Sequence, residues 1–304
     1  MPSTVAGETL ATYRWVPASY DAAVFLVHGF RAHAQFNFLR ADSPTSLCNY
    51  GDAARSSLVR ELNERSLAVF AHDHVGHGNS SGLRAYFPAF SALVDDLMSH
   101  VNTVDRDLRL RERGVPVFLL GHSMGGTVAI LAARDNPTAF AGMALSSAAS
   151  EPPASMFGLK GHVQYWLSGI TSRVCPKAEL LALPPAPDKV LQENFEADPL
   201  NCQNMVRARV GREFLDAYSN ISGNVAMVKV PFLTVSGEND TLVHPEAAER
   251  FYNGATSADK TLVKGEGRWH NLLGETGKEE MWTLFANWIR ERADKKLADL
   301  AACN

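Results

Sequence analysis

Short runs of apolar residues, each ending at glycine or a polar residue, recur along the chain at the spacing typical of buried parallel strands. These runs occupy residues 24–27, 67–71, 117–120, 142–145, 232–235 and 260–263. Helical patterns lie between them, as at 90–104 and 125–134, and a last one at 278–300 has an apolar face suited to covering a sheet. The alternation predicts an α/β fold with a mostly parallel central sheet flanked by helices. In such sheets, reactive groups gather at the carboxyl ends of the strands.

The segment from 151 to about 228 interrupts this alternation, because it contains no strand-like run. It has a proline cluster at 184–187 and an apolar stripe at helical spacing. The members of the stripe are Met156, Leu159, Val163, Trp166, Leu167 and Ile170. We therefore predict a core formed by residues 1–150 and 229–304, with a helical cap (lid) at 151–228 inserted into it. The stripe fits two roles, packing of the cap on the core or a lid face that contacts lipid.

Composition and charge exclude several classes of function. Of the 304 residues, 46% are hydrophobic and 20% charged, as in ordinary globular proteins rather than disordered ones. The 29 basic and 33 acidic residues give a formal charge of −4, which offers no electrostatic footprint for nucleic acid. The four cysteines form no CxxC pair that would indicate a zinc or redox motif.

The sequence also carries no pattern of a membrane-targeted protein. Residues 1–13 lack the basic and apolar regions of a secretory signal, and no run approaches the roughly 18 apolar residues of a spanning helix. We therefore expect a cytoplasmic protein with reduced cysteines, which is soluble or contacts membranes only from outside.

The most specific motif is G-x-S-x-G at residues 121–125, directly after the predicted strand 117–120 and directly before a helical pattern. In this context it predicts a nucleophile elbow, a tight strand-to-helix turn that exposes Ser123. A serine hydroxyl is a weak nucleophile and needs a base beside it. Its partners are expected after later strands, in the chain order serine, acid, histidine.

Two residues stand where those partners are expected. Asp240 follows the strand at 232–235, and His270 lies between the last predicted strand and the closing helix. Glu238 competes at the same turn, but Asp240 lies where the chain has cleared the strand end. The predicted roles are nucleophile for Ser123 and general base for His270, while Asp240 orients the imidazole and stabilises the imidazolium.

The negative charge that develops on a substrate carbonyl oxygen needs two hydrogen-bond donors. The motif predicts that the backbone N–H of Met124, directly after the nucleophile, is one of them. The loop after the strand at 24–27 is expected to supply the other. The backbone N–H of Phe30 is the candidate, because Gly29 before it permits a close approach to the substrate.

The segment 72–78 contains His72, His74 and His77 among glycines, at a spacing that metal ligands would permit. A catalytic triad explains hydrolysis without a metal, so we interpret this segment as a structural loop that supports the site. We expect neither a metal nor a cofactor.

These motifs resemble the α/β-hydrolase superfamily and, within it, the monoacylglycerol lipase family. The resemblance is close over 70–82 and 116–126 and continues at 140–143, 198–200 and 259–262. It implies the α/β-hydrolase fold and the cleavage of long-chain monoacylglycerols, or similar single-chain lipid esters, to fatty acid and alcohol through an acyl-enzyme. It further implies transient peripheral membrane contact through the cap. The residues implied on the acyl side are Met156, Leu159, Val163, Leu167 and Leu242.

Two departures from the family concern the alcohol side of the substrate. Animal members carry a glutamate in the loop after the His-Gly pair, whereas the corresponding loop here, 30–36, has no acid, and a longer stretch follows at 37–52. A family histidine shortly after the catalytic one is replaced by Leu273. A lysophospholipase or a broader single-chain carboxylesterase therefore stays an alternative. A non-catalytic receptor or scaffold of this fold is the remote one, since such proteins commonly lose a triad member and none is missing here.

Overall fold

The structure of the protein, a computed structural model, describes residues 1–39, 56–151 and 159–302, with the side chains of all of these except 159–166. The strands of this part are β1 Thr12–Trp15, β2 Ala22–Val27, β3 Leu67–His72, β4 Val117–His122, β5 Gly142–Ser146, β6 Glu179–Leu181, β7 Val206–Arg207, β8 Phe232–Gly237 and β9 Lys260–Gly265. The helices are α1 Ala34–Phe38, α2 Leu58–Asn63, α3 Phe90–Leu108, α4 Met124–Asp135, α5 Leu159–Val174, α6 Lys189–Ala197, α7 Ala208–Gly223, α8 Pro245–Gly254 and α9 Lys278–Ala302. A short 3₁₀ helix follows α7 at Val225–Met227.

Seven strands form the central sheet in the order β1-β3-β2-β4-β5-β8-β9. The six strands from β3 to β9 in this order run parallel, and β1 pairs antiparallel with β3 at one edge. The mostly parallel sheet and its six predicted strands are thereby confirmed, each longer by one or two residues. The sequence pattern missed β1, because its side chains are alternately exposed and half-buried and form no apolar run.

Both faces of the sheet are covered, which explains why its strands read as uninterrupted apolar runs. Phe25 of β2 packs into a core formed with α3 and α4, while its neighbour Leu26 packs into a second core formed with α2 and α9. The predicted C-terminal helix is confirmed as α9, which buries Trp282 and Phe285 against the sheet. Among the described helices, none has both the length and the apolar character needed to cross a membrane.

Residues 159–228, which we call the cap segment, connect β5 to β8 and contain α5, α6, α7 and the antiparallel pair β6 and β7. The expectation that no strand occurs at 151–228 is therefore wrong. Both strands are very short, and β6 is exposed along its whole length, so neither produces an apolar run. Helix α7 packs against α5 and also against α3 and α4 of the core. The boundaries of the cap at 151 and 228 stay a prediction.

Candidate active site

Ser123 lies at a sharp turn between β4 and α4. Its backbone has φ 52° and ψ −118°, a conformation that residues with a side chain rarely adopt. Its backbone hydrogen bonds hold it there: the Ser123 N–H donates to the carbonyl of Ser146 at 2.9 Å, and the Ser123 carbonyl accepts from the N–H groups of Gly126 at 2.9 Å and Thr127 at 3.2 Å, among others. This geometry directs the side chain away from the sheet, as the elbow motif predicts.

Glycine at 121 and 125 lets the turn pack tightly. A Cβ atom on Gly125 would overlap the carbonyl groups of Val27 and His28, and one on Gly121 would overlap the backbone of Gly125. The first turn of α4 therefore lies directly against the carboxyl end of β2. This contact brings the loop after β2 close to Ser123, with the Cβ position of Gly29 only 3.4 Å from the Ser123 Cβ.

The structure brings the three residues of the predicted triad together. His270 Nδ1 lies 2.7 Å from Asp240 Oδ2, and His270 Nε2 lies 2.9 Å from Ser123 Oγ. An ionised carboxylate can only accept, so Nδ1 carries the imidazole proton and Nε2 accepts from the serine hydroxyl. Asp240 and His270 are both buried, which leaves the hydroxyl of Ser123 as the accessible end of the chain of hydrogen bonds.

Asp240 is held by its own turn. Its second oxygen, Oδ1, accepts from the backbone N–H groups of Leu242 at 2.8 Å and Val243 at 2.9 Å. Glu238, which competes with it in the sequence, is exposed and accepts instead from the Gly267 N–H at 3.0 Å. Glu238 therefore fastens the loop before His270, and Asp240 contacts the imidazole.

Glu275 is a buried carboxyl group beside the triad that sequence reasoning missed. Its carboxyl group accepts a hydrogen bond at 2.9 Å from the backbone N–H of Trp269, the residue directly before His270. Burial raises the pKa of Glu275. The indole N–H of Trp269 donates to the hydroxyl of Thr241 at 2.9 Å, directly after Asp240. The loop that carries His270 is thus hydrogen-bonded both to Glu275, which follows it in the chain, and to the loop that carries Asp240. No motif marks Glu275, because its partner is a backbone amide.

The loop after β2 is held by polar side chains that converge on it. Asn37 Oδ1 accepts from the Gly29 N–H at 2.9 Å, and Asp73 Oδ1 accepts from the Ala34 N–H at 2.9 Å. His28 Nε2 accepts from the backbone N–H of His74 at 2.9 Å. The segment 72–78 therefore contacts and braces this loop, as our interpretation of it requires.

Phe30 and Met124 both line the cavity above Ser123. In the described part of the chain, neither backbone N–H donates to another protein group. The Phe30 ring packs edge-on against Phe214 of α7, with ring centroids 5.3 Å apart, which fixes the loop from its other side. Both amides are thus available beside the nucleophile.

The cavity has a volume of about 1250 Å³ and lies between the carboxyl ends of the strands and the cap segment. Ser123 and His270 form part of its floor. Its walls are largely apolar, with contributions from β6, α6, α7 and the turn after β8, as in Leu181, Leu183, Phe195, Phe214, Leu215 and Leu242.

The residues predicted on the acyl side are placed unequally. Leu242 lines the cavity. Leu167 does not: its side chain is 48% exposed, and Ser168 and Thr171 are the residues of α5 that line the cavity. The side of α5 that faces the cavity at these positions is therefore a different one from the apolar side that the sequence predicted. Met156 lies outside the described residues. Leu159 and Val163 belong to α5, but their side chains lie outside the described part.

Five buried histidines pack behind the loop after β2: His28, His72, His74, His77 and His100. The ring centroids of His28 and His74 are 4.3 Å apart, and those of His72 and His74 are 5.1 Å apart. Burial lowers the pKa of His28 and His77 to about 3 and that of His100 to about 4, and holds the pKa of His72 and His74 well below the usual value. These imidazoles are therefore neutral at physiological pH.

Within residues 1–39, 56–151 and 159–302, no three His, Cys, Asp or Glu side chains are placed to hold a metal ion. The elbow on a mostly parallel sheet, with Ser123, His270 and Asp240 in hydrogen-bond contact, defines a serine hydrolase of the α/β-hydrolase fold.

Comparison with known proteins narrows this class. A family model described as serine aminopeptidase, S33 matches residues 51–277. Human monoglyceride lipase is 35% identical over 288 residues, which cover 88% of this chain and 91% of that protein. The monoacylglycerol lipase of Paleococcus ferrophilus superposes with a TM-score of 0.74 at 22% identity, over 93% of this chain and 99% of that one. A soluble variant of the Saccharomyces cerevisiae monoglyceride lipase, in complex with a substrate analog, superposes with a TM-score of 0.72 at 19% identity. The match covers 95% of this chain and 92% of that one.

The chain belongs to the monoglyceride lipase family of serine hydrolases. The resemblance drawn from its motifs and the predicted α/β-hydrolase fold are both confirmed.

We expect Gly125→Ala to destabilise the fold and to reduce labelling of Ser123 by a fluorophosphonate probe. The added methyl group must displace the backbone of β2 or of α4, and overpacking of this kind costs roughly 1–3 kcal/mol. Thermal unfolding and probe labelling measure the two effects. Gly223→Ala is the matched control, since a Cβ there meets nothing within 4 Å. Equal behaviour of the two variants would contradict the tight contact.

We expect the free energy of unfolding to fall as the pH decreases from about 6.5 towards 4. Histidines of the unfolded chain bind protons near pH 6.5. The buried ones do so only near pH 3 to 4, so the unfolded state binds more protons throughout this interval. Urea unfolding at pH 7.5 and pH 5 measures the difference. His100→Gln should reduce this difference in the free energy of unfolding. His244→Gln should leave it unchanged, because His244 is exposed. Equal stability of the wild type at both pH values would refute the expectation.

Proposed function

We propose that this protein hydrolyses monoacylglycerols to free fatty acid and glycerol through an acyl-enzyme intermediate. The observation that carries the proposal is the chain of hydrogen bonds from Ser123 through His270 to Asp240, at the floor of a large, mostly apolar cavity. The relatives named as monoglyceride lipases support the same substrate class. The complete triad argues against a non-catalytic receptor or scaffold.

In the first half of the reaction, Ser123 Oγ attacks the ester carbonyl while His270 Nε2 takes the hydroxyl proton. The 2.9 Å contact between these atoms is already suited to this transfer. The imidazolium that forms is stabilised by the carboxylate of Asp240, which accepts hydrogen bonds from the imidazole and from two backbone N–H groups. His270 then gives the proton to the departing alcohol, and the acyl group stays on Ser123.

The negative charge on the carbonyl oxygen is taken up by the backbone N–H groups of Phe30 and Met124. Within the residues that the structure describes they donate to no protein acceptor, and this and their position beside Ser123 support the role. A pre-oriented donor of this type typically contributes roughly 3 kcal/mol to transition-state stabilisation. The bracing of the loop by Asn37 and Asp73 keeps the first donor in place without reorganisation during the reaction.

In the second half, a water molecule replaces the alcohol. His270 takes a proton from this water as its oxygen attacks the acyl carbon, and then returns the proton to Ser123 as the fatty acid leaves. The apolar walls of the cavity favour long chains, because each buried methylene contributes about 0.8 kcal/mol.

We further infer that the cap segment contacts lipid surfaces. Several large apolar side chains on α5, β6 and α6 are exposed to solvent: Leu167, Ile170, Val174, Leu180, Leu181 and Val190. Leu167, Ile170 and Val174 follow each other at spacings of three and four, so they lie on one side of α5. Leu180 and Leu181 also line the cavity, which connects this apolar surface with the substrate site.

Asp240→Asn should lower kcat for a long-chain monoacylglycerol by about 10⁴-fold, because an amide favours the wrong imidazole tautomer. Ser123→Ala should abolish fatty-acid release. Glu238→Gln is the matched control and should retain most activity, since Glu238 contacts only the loop before His270. Fatty-acid release from 1-oleoylglycerol measures all three. A large loss in Glu238→Gln together with an active Asp240→Asn would reverse the assignment of the acid.

The double variant Leu167→Ser/Val174→Ser should bind phosphatidylcholine vesicles at least tenfold more weakly than the wild type. Each exposed aliphatic side chain contributes roughly 1.5–3 kcal/mol when it leaves water. Vesicle co-sedimentation measures binding, and hydrolysis of a water-soluble short-chain ester should be unchanged. Val16→Ser is the control, since Val16 is 42% exposed but lies outside the cap segment. Unchanged vesicle binding of the double variant would rule out this contact.

A further inference from the structure

Arg31 is a partly buried cation in the wall of the catalytic cavity, and it follows directly after Phe30. Its Nε donates to the carbonyl of Cys202 at 2.7 Å, and its guanidinium carbon lies 5.1 Å from the centre of the Phe195 ring. No carboxylate contacts it in the described part of the chain. Among the described residues, its two terminal nitrogens donate to no protein acceptor.

The other arginines that line the cavity have their charge balanced by a neighbouring carboxylate. The pairs are Arg207 with Glu179 at 3.0 Å, Arg212 with Asp216 at 2.8 Å, and Arg250 with Glu151. Arg31 differs from them in having a carbonyl and an aromatic ring instead. Burial lowers the pKa of Arg31, because its charge is partly desolvated and no carboxylate of the described residues pairs with it.

Three arginines, Arg31 among them, lie around Cys202, whose backbone carbonyl binds Arg31. Burial raises the pKa of the Cys202 thiol, while the charges of Arg84, Arg31 and Arg207 act on it in the opposite direction. Asp198, a buried carboxylate of the cap segment, is engaged by His33 Nε2 at 2.9 Å. A partly buried guanidinium whose terminal N–H groups meet no acceptor among the described residues is suited to bidentate binding of phosphate oxygens.

We propose that Arg31 binds a phosphate on the alcohol part of a single-chain lipid ester, so that anionic lysophospholipids are substrates of this site. The proposal rests on the ester hydrolysis proposed above. The acyl chain of a lipid ester is uncharged, so a negative charge on the substrate belongs to its alcohol part. The reaction is unchanged: the acyl C–O bond breaks, the fatty acid takes the hydroxyl of water, and the phosphorylated alcohol takes the proton.

The test compares three esters with the same chain: neutral 1-oleoylglycerol, anionic 1-oleoyl-lysophosphatidic acid and zwitterionic 1-oleoyl-lysophosphatidylcholine. For each, kcat/KM is measured below the critical micelle concentration with the full-length protein. Arg31→Gln should lower the ratio of kcat/KM for the anionic ester to kcat/KM for the neutral ester about tenfold or more, as expected for loss of a charge-assisted hydrogen bond. Arg31→Lys should retain part of this preference for the anionic ester.

Arg212→Gln is the matched control, because it removes the same charge from the same cavity at a site where Asp216 already balances it. Its ratio should stay near the wild-type value. Arg31 also joins the loop after β2 to the cap segment, since its carbonyl accepts from the Cys202 N–H at 2.7 Å. If this bracing were its whole role, Arg31→Gln would reduce kcat/KM by the same factor for all three esters, and that result would overturn the proposal.

Other outcomes separate the two proposals. Wild-type cleavage of 1-oleoylglycerol without cleavage of lysophosphatidic acid overturns the phosphate site and leaves the proposed function standing. Cleavage of none of the esters overturns both. If Arg31→Gln does not fold, inhibition of the wild type by dodecyl phosphate is compared with inhibition by the neutral dodecyl glycerol ether. An inhibition constant about tenfold lower for the phosphate supports the proposal, and equal constants overturn it.

Discussion

The catalytic geometry depends on how closely the first turn of α4 approaches the end of β2. Only a residue without a Cβ fits between them, because any larger side chain at Gly125 would overlap the carbonyls of Val27 and His28. This single contact fixes the turn that presents Ser123 and brings the loop at Gly29 beside it. The nucleophile and one of the proposed oxyanion donors thus owe their relative position to backbone packing, and side chains only refine it.

The polar residues around the site act mainly by holding backbone. Asn37 and Asp73 accept from amides of the loop after β2, while Glu275 and Glu238 accept from amides of the loop that carries His270. Each of these side chains satisfies a loop amide that a strand or helix would otherwise satisfy. The loops are consequently rigid although they lie outside regular structure, and rigidity of this kind is what transition-state stabilisation by oriented donors requires.

The sequence was most informative where burial is uniform. Five of the parallel strands, β2, β3, β4, β5 and β8, are buried along their whole length, so their apolar runs predicted them well, whereas the half-exposed β1 and the exposed β6 left no such pattern. The triad was predictable because each member follows a strand end at a place the elbow motif specifies. The helical stripe of α5 was misleading at Leu167, because this apolar side chain is exposed to solvent and does not line the cavity. The role of Glu275 could not be predicted, because its carboxyl group binds a backbone N–H, and any residue type can supply that group.

The sheet order also determines when the protein becomes an enzyme. Ser123 and His270 are 147 residues apart in the chain, and the strand that leads to His270 is the last to be synthesised and lies at the edge of the sheet. A nascent chain that has emerged only as far as β5 can form the elbow but has neither the acid nor the base. Because domains form from the N-terminal side during translation, lipolytic capacity arises only when β9 docks at the sheet edge. A ribosome-bound or prematurely terminated chain that lacks β9 therefore carries Ser123 without the base that activates it.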